Sequence, residues 1–254
     1  MTLAPGAIAA LCATAGVAGF VDAIAGGGGL LSVPMLLGFV PRPHLALGTN
    51  KGQAVFGAIS SATSYWRGKG VHRDRAPLAF ACGAAGAVVG ALLQLRVRPE
   101  PLKPIALGLL VAAALVVALR PLLLRNALGA HDVSAPRARL AAITLTMGAY
   151  DGVFGPGTGA LLIIAFVVFH GDTMTRASGN AKIANLASNL TAFGIFAVKG
   201  TILWSIALPM AVCNALGAAL GARTAMKRGD TFVRFFVLVV VVALVVRLGW
   251  DIVR

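Results

Sequence analysis

Apolar residues fill this chain in long unbroken blocks rather than at the three-to-four-residue spacing of a helix with one buried stripe. Blocks at about 3–25, 49–66, 76–95, 104–119, 140–154, 177–198, 204–226 and 232–250 approach or reach the length of a membrane-crossing helix, which needs about 20 residues. Two further apolar pieces, at about 30–38 and 160–169, are too short to cross alone. Each follows a Gly-rich stretch, Gly26-Gly-Gly-Gly29 in one case and Gly155-Pro-Gly-Thr-Gly159 in the other, so each reads as the second half of a broken or re-entrant helix. The expected fold is an all-α polytopic membrane protein.

The pattern runs through the chain twice. Asp22-Ala-Ile-Ala-Gly-Gly-Gly-Gly29 aligns with Asp151-Gly-Val-Phe-Gly-Pro-Gly-Thr158, and Leu47-Gly-Thr-Asn-Lys51 with Ser178-Gly-Asn-Ala-Lys182. Further along each copy, Cys82-Gly-Ala-Ala-Gly86-Ala-Val-Val-Gly90 matches Cys213-Asn-Ala-Leu-Gly217-Ala-Ala-Leu-Gly221. Conserved order and spacing of this kind predict two homologous repeats, each a broken first helix followed by three transmembrane helices. Residues 1–125 form the first unit, 126–138 a linker and 139–254 the second.

Composition supports lipid as the main solvent: of 254 residues, 58% are hydrophobic and only 12% charged. The net charge of +14 does not point to nucleic acid, because the Lys and Arg sit mainly in short connections such as 67–75, without interleaved stacking aromatics. Charge placement bears on orientation instead. If both broken helices cross the membrane, the basic residues divide evenly between its sides. If both dip in and return, the larger share gathers on one side, the repeats are inverted, and the positive-inside tendency places 67–75, 120–139 and 223–234 in the cytoplasm with both termini outside. The second arrangement is the expected one. No Lys or Arg precedes the first apolar block, so a cleavable signal peptide is not indicated and that block is expected to stay in the mature protein.

Cys12, Cys82 and Cys213 are odd in number and form no CxxC pair, and His44, His72, His131 and His170 are scattered singly. Neither a disulfide framework nor a metal site is expected. An enzyme is a poor reading, since no His pair, Ser-His set or HExxH lies in the apolar blocks. Nothing implies a cofactor, and nothing in the sequence supports a homo-oligomer.

Candidate chemistry lies at the breaks. Asp22 and Asp151 are the two acidic residues inside apolar segments, and a carboxylate at a helix centre costs about 2.5 to 3.5 kcal/mol on insertion scales. They are candidates for proton coupling; the alternative is that they bond backbone N–H groups freed at the breaks. Gly26, Gly27, Gly28 and Gly29, with Gly155, Gly157, Thr158 and Gly159, let an anion approach the main chain, and the short helices that follow aim their positive N-terminal ends at it. Close packing through small residues is the competing explanation. Lys51 and Lys182, with Thr49, Asn50 and Asn180 beside them, offer positive charge and hydrogen-bond donors, unless the lysines only snorkel to the interface. Asn185 and Asn189 stand one turn apart and can line a polar path or bond neighbouring helices.

The stretch Gly19-Phe-Val-Asp22 through Gly26–Gly29 to Pro34, followed by Gly48-Thr-Asn-Lys51, resembles the first motif of the TauE/SafE sulfite exporter family. Asp151–Gly159 and Ala181-Lys-Ile-Ala-Asn-Leu-Ala-Ser-Asn189 resemble its second, and the likeness covers nearly the whole chain. It implies a secondary transporter of the cytoplasmic membrane, an exporter of sulfite, sulfoacetate or another organosulfonate, coupled to the proton gradient. Facing breaks would hold one anion, exposed alternately to each side. An anion channel and a non-transporting membrane subunit are the competing classes.

Overall fold

Prolines and glycines mark where the helices begin and end. The computed structural model describes residues 3–97 and 136–253. The expected segment at 104–119 lies outside the described residues, as does most of the 126–138 linker. Eight helices and no strands are found among the described residues. Helix α1 (Pro5–Ala25) opens with proline in its first turn, where the missing N–H costs nothing, and stops at Gly26, which is left-handed at φ 75°. After two residues the chain resumes as α2 (Gly29–Phe39), then α3 (Pro43–Arg67) and α4 (Ala76–Arg96).

Beyond the undescribed stretch come α5 (Arg137–Val153), a second interruption closed by left-handed Gly157, α6 (Thr158–His170), α7 (Met174–Val198) and α8 (Trp204–Val253). The two helices expected at 204–226 and 232–250 are continuous apart from one non-helical residue, Gly229. Pro5–Ala25, Ala76–Arg96, Met174–Val198 and Trp204–Val233 are long and apolar enough to cross a membrane. At 11 and 13 residues, α2 and α6 rise only about 16 and 20 Å and cannot.

Two of the predicted helix starts are corrected. Hydropathy begins one block at 49 and another at 177, but the helices that hold them, α3 and α7, begin at Pro43 and Met174. The added turns carry His44 in α3 and Thr175 and Arg176 in α7, polar or charged residues that an apolar count passes over.

Helix ends gather in two groups. Leu3, Val40, Leu45, Val97 and Leu203, from the start of α1, end of α2, start of α3, end of α4 and start of α8, share one apolar cluster. Tyr65, Leu78, Leu140, Val168 and Met174, from the end of α3, start of α4, start of α5, end of α6 and start of α7, share another. Thus α1 and α2 enter and leave at one end of the molecule, and α5 and α6 at the other.

Packing between the halves runs through glycine. Along α1 and α8, Gly217 faces the Gly16 carbonyl and Gly221 that of Phe20; along α4 and α5, Gly86 faces the Leu145 carbonyl and Gly90 that of Ala149. Each such glycine lets two backbones touch, the small-residue packing expected of lipid-embedded helices. Gly90→Val forces a side chain onto the Ala149 carbonyl and is expected to destabilise by about 1–3 kcal/mol. Gly194→Ala, with no atom within 4 Å, is expected to be neutral or slightly stabilising. Unfolding temperatures of the two purified variants in detergent check the contrast.

Candidate functional site

The two helix breaks meet. Ala160, in the first turn of α6, donates its N–H to the Gly26 carbonyl at 3.0 Å. A Cβ on Gly26 would fall on the backbone of Gly159 and Ala160, and one on Gly159 would fall on Gly26. The breaks therefore touch along one edge, and no anion fits between Gly26 and Gly159. Space opens beside that contact instead, in a cavity of about 40 Å³, room for about three water centres. Asp22, Gly28, Gly29, Asn50, Lys51, Asp151, Gly155, Gly157, Gly159, Asn185 and Asn189 line it, and so do Ser32, Gln53, Ala54 and Asn214.

Charge at the cavity is paired across the two halves of the chain. Lys51 Nζ of α3 lies 2.9 Å from Asp151 Oδ1 of α5, with both side chains almost wholly buried. Lys182 Nζ of α7 donates to Asp22 Oδ2 of α1 at 2.5 Å; Lys182 is fully buried, while the Asp22 side chain is 27% exposed. Each lysine reaches the aspartate of the other half.

Surrounding bonds differ between the pairs. Asp151 Oδ2 accepts from Ser188 Oγ at 2.5 Å and from Asn189 Nδ2 at 3.1 Å, so side chains alone satisfy it. Lys51 also donates to Asn189 Oδ1 at 3.4 Å. Asp22 Oδ1 accepts the Gly28 N–H at 3.3 Å, one of the backbone groups freed by the first break. At the second break Gly155, left-handed at φ 93°, leaves room for the other pair: a Cβ there would lie 2.9 Å from Lys51 Nζ and 3.1 Å from Asp151 Oδ1.

Ser32 and Gln53 extend the lining. Ser32 Oγ donates to Asn50 Oδ1 at 2.7 Å and Gln53 Nε2 donates to the same oxygen at 3.0 Å, which fixes both amides. Gln53 Oε1 is left buried with no partner, an acceptor facing a space large enough for water or ligand. The α2 and α6 N-termini lie at this cavity with no acidic residue in the first turn, and the carboxylate that meets the positive end of α2 is Asp22, through the Gly28 N–H.

Six of the predicted site residues do not line the cavity. Gly26 and Gly27 are taken up by the first break itself, where Gly27 accepts from the Leu30 N–H. Thr158 donates its hydroxyl to the Gly155 carbonyl at 2.7 Å. Lys182 stands behind Asp22. Thr49 and Asn180 face away and hold loops: Thr49 Oγ1 accepts from Leu203 N at 3.0 Å, and Asn180 Oδ1 from His72 N at 2.9 Å. Asn180 also donates to Asp172, which lies within 3.3 Å of both Arg75 and His72. Sequence patterning had no signal for that clasp, because loop charges look alike until loops are brought together.

Comparison with known proteins follows the same lines. A family model described as sulfite exporter TauE/SafE matches residues 11–248. A probable membrane transporter protein of Sinorhizobium, ORF9, is 40% identical over 246 residues, covering 96% of this chain and 93% of that one. Probable membrane transporter proteins of Haemophilus influenzae and of Escherichia coli K12 (YfcA) are each 34% identical over 92% of this chain, covering 91% and 87% of their own lengths. No solved structure matches the chain.

Proposed function

We propose, from the premise that the chain belongs to the sulfite exporter TauE/SafE family, that this multi-pass membrane transporter carries a small sulfur-containing anion, sulfite or an organosulfonate, across the cell membrane by alternating access. The observation that carries the reading is the crossed pairing of Lys51 with Asp151 and Lys182 with Asp22 beside a polar cavity. Two inverted repeats of one design account for it: the matching motifs of the two halves, their entry from opposite ends and the exchange of partners all support that arrangement.

The pairing also suggests how proton and anion are linked. With both pairs closed, the cavity offers no excess positive charge, and an anion must compete with Asp151 for Lys51. A proton on Asp151 removes the competitor and frees the ammonium, while the N-termini of α2 and α6 add donors for the oxyanion. Each ligand then favours the other, and by reciprocity the two travel in the same direction. Export runs on the anion's own gradient and takes a proton with it.

Reconstitution into liposomes tests this. Saturable flux of sulfite or sulfoacetate, accelerated by a pH gradient of the same direction and lost in Asp151→Asn, is the expected result. Flux that does not saturate and ignores the pH gradient would mean a channel; absence of flux for sulfite, sulfoacetate, taurine and sulfate alike would remove the substrate class.

A further inference from the structure

A second cavity, of about 490 Å³, lies at the end of the molecule where α4 and α5 begin and α6 finishes. Asp74, Arg75, Pro77, Leu78, Arg137, Leu140 and His170 line it. Three features of this place are unexplained by the transport site.

The first is the charge at the helix ends. Helices α4 and α5 lie side by side and start together here, and neither has a side-chain cap or an acidic residue in its first turn. Both N-termini carry the positive end of a helix dipole, where anions are favoured and cations are not. Yet Arg75 occupies the cap position of α4, and Arg137 and Arg139 fall in the first turn of α5. Arg75 is shared with Asp172 at 3.3 Å and Arg139 reaches the Phe169 carbonyl at 3.5 Å, whereas Arg137 is exposed with no ion pair among the described residues. Asp74, itself exposed, is the one carboxylate among the described residues that line the cavity.

The second is His170. It is only 3% exposed, and neither ring nitrogen has a hydrogen-bond partner. Its ring packs against Phe166 at 5.6 Å between centroids, which holds it in place at the cavity wall. A buried polar side chain without a partner is costly, about 1–3 kcal/mol, and calls for a ligand or ordered water. The third is the apolar remainder of the lining, Pro77, Leu78 and Leu140, beside the basic residues.

We propose that this cavity binds a phosphate group, as carried by an anionic phospholipid headgroup or by free phosphate. Arg137 and Arg75 supply the charge, the N–H groups of Arg137 and Ala138 in the first turn of α5 supply backbone donors, and His170 supplies a buried donor at the cavity wall. Basic pockets between helices at a membrane edge are the kind of place where anionic headgroups seat. The site is independent of the transported anion, since it shares no lining residue with the cavity at the breaks.

Native mass spectrometry of the full chain in detergent, titrated with phosphatidylglycerol, phosphatidylcholine and inorganic phosphate, tests it. Wild-type protein is expected to retain phosphatidylglycerol in preference to phosphatidylcholine, and Arg137→Gln with His170→Phe to weaken that retention at least tenfold. Displacement of the lipid by millimolar phosphate would identify the bare phosphate group as sufficient; failure of phosphate to compete, with the variant still weakened, would assign the site to the lipid. Equal retention by wild type and variant, or no binding of either phosphate source, overturns the proposal. Arg137→Gln alone, on an exposed side chain, must show a loss in the same direction if the double variant folds poorly.

Discussion

Lys51→Met is expected to abolish transport and to destabilise the protein by about 3–5 kcal/mol, the usual cost of leaving one partner of a buried ion pair uncompensated. The Asp151 side chain it strands is 2% exposed and keeps only the neutral donors Ser188 and Asn189. Adding Asp151→Asn should recover most of the stability, because an amide still accepts from Ser188 and bears no charge. Transport should stay lost, since the ammonium proposed to meet the anion is gone. The second pair should respond differently: Lys182 is fully buried but Asp22 is 27% exposed, so Asp22→Asn strands the buried partner and should cost more than Lys182→Met. Unfolding temperatures and liposome flux measured on the same preparations separate the two roles. Full transport activity in the stable Lys51→Met, Asp151→Asn double variant would show that the pair only supports the fold.

That asymmetry also speaks to what the aspartates do. Asp22 serves a freed backbone N–H at its break as well as a lysine, while Asp151 serves none and is held by Lys51, Ser188 and Asn189. The backbone-bonding role therefore describes Asp22 in part and Asp151 not at all. Of the two, Asp151 has more of its bonding tied up in side chains that can rearrange.

Which residues belong to the polar cavity was largely legible from the chain, because a carboxylate, a lysine or a glycine cluster inside an apolar block stands out against its neighbours. Asp22, Asp151, Lys51 and both glycine stretches were found that way. Their partners were not. Spacing gives the depth of a residue in its own helix but not which helix lies beside it, so nothing told that Lys51 reaches Asp151 rather than Asp22. For the same reason Thr49 and Asn180, next to lysines in the sequence, turned out to point one face away from them and to hold loops. Ser32, Gln53 and Asn214 were passed over because single polar residues in long apolar segments are common and gain meaning only from convergence on one cavity.

Gly26→Ala and Gly159→Ala are both expected to prevent assembly of a well-behaved protein, the largest effect among the single substitutions considered. At Gly26 two costs add. Its φ of 75° is one that alanine adopts only with strain, about 1–2 kcal/mol, and the new methyl would fall on the backbone of Gly159 and Ala160. Backbone cannot rotate aside as a side chain can, so the breaks must separate and the bond from Ala160 N–H to the Gly26 carbonyl is lost. Gly159 lies in the first turn of α6 and has no positive φ, so Gly159→Ala isolates the collision from the strain. Gly200→Ala isolates the strain from the collision, with φ 67° and no atom within 4 Å, and should cost only the first 1–2 kcal/mol or so. Yield of monodisperse protein and unfolding temperature for the three variants decide the matter. If Gly159→Ala matched wild type while Gly200→Ala fell, strain alone would govern these positions; the contact between the breaks, and with it the cavity that contact frames, would have to be redrawn.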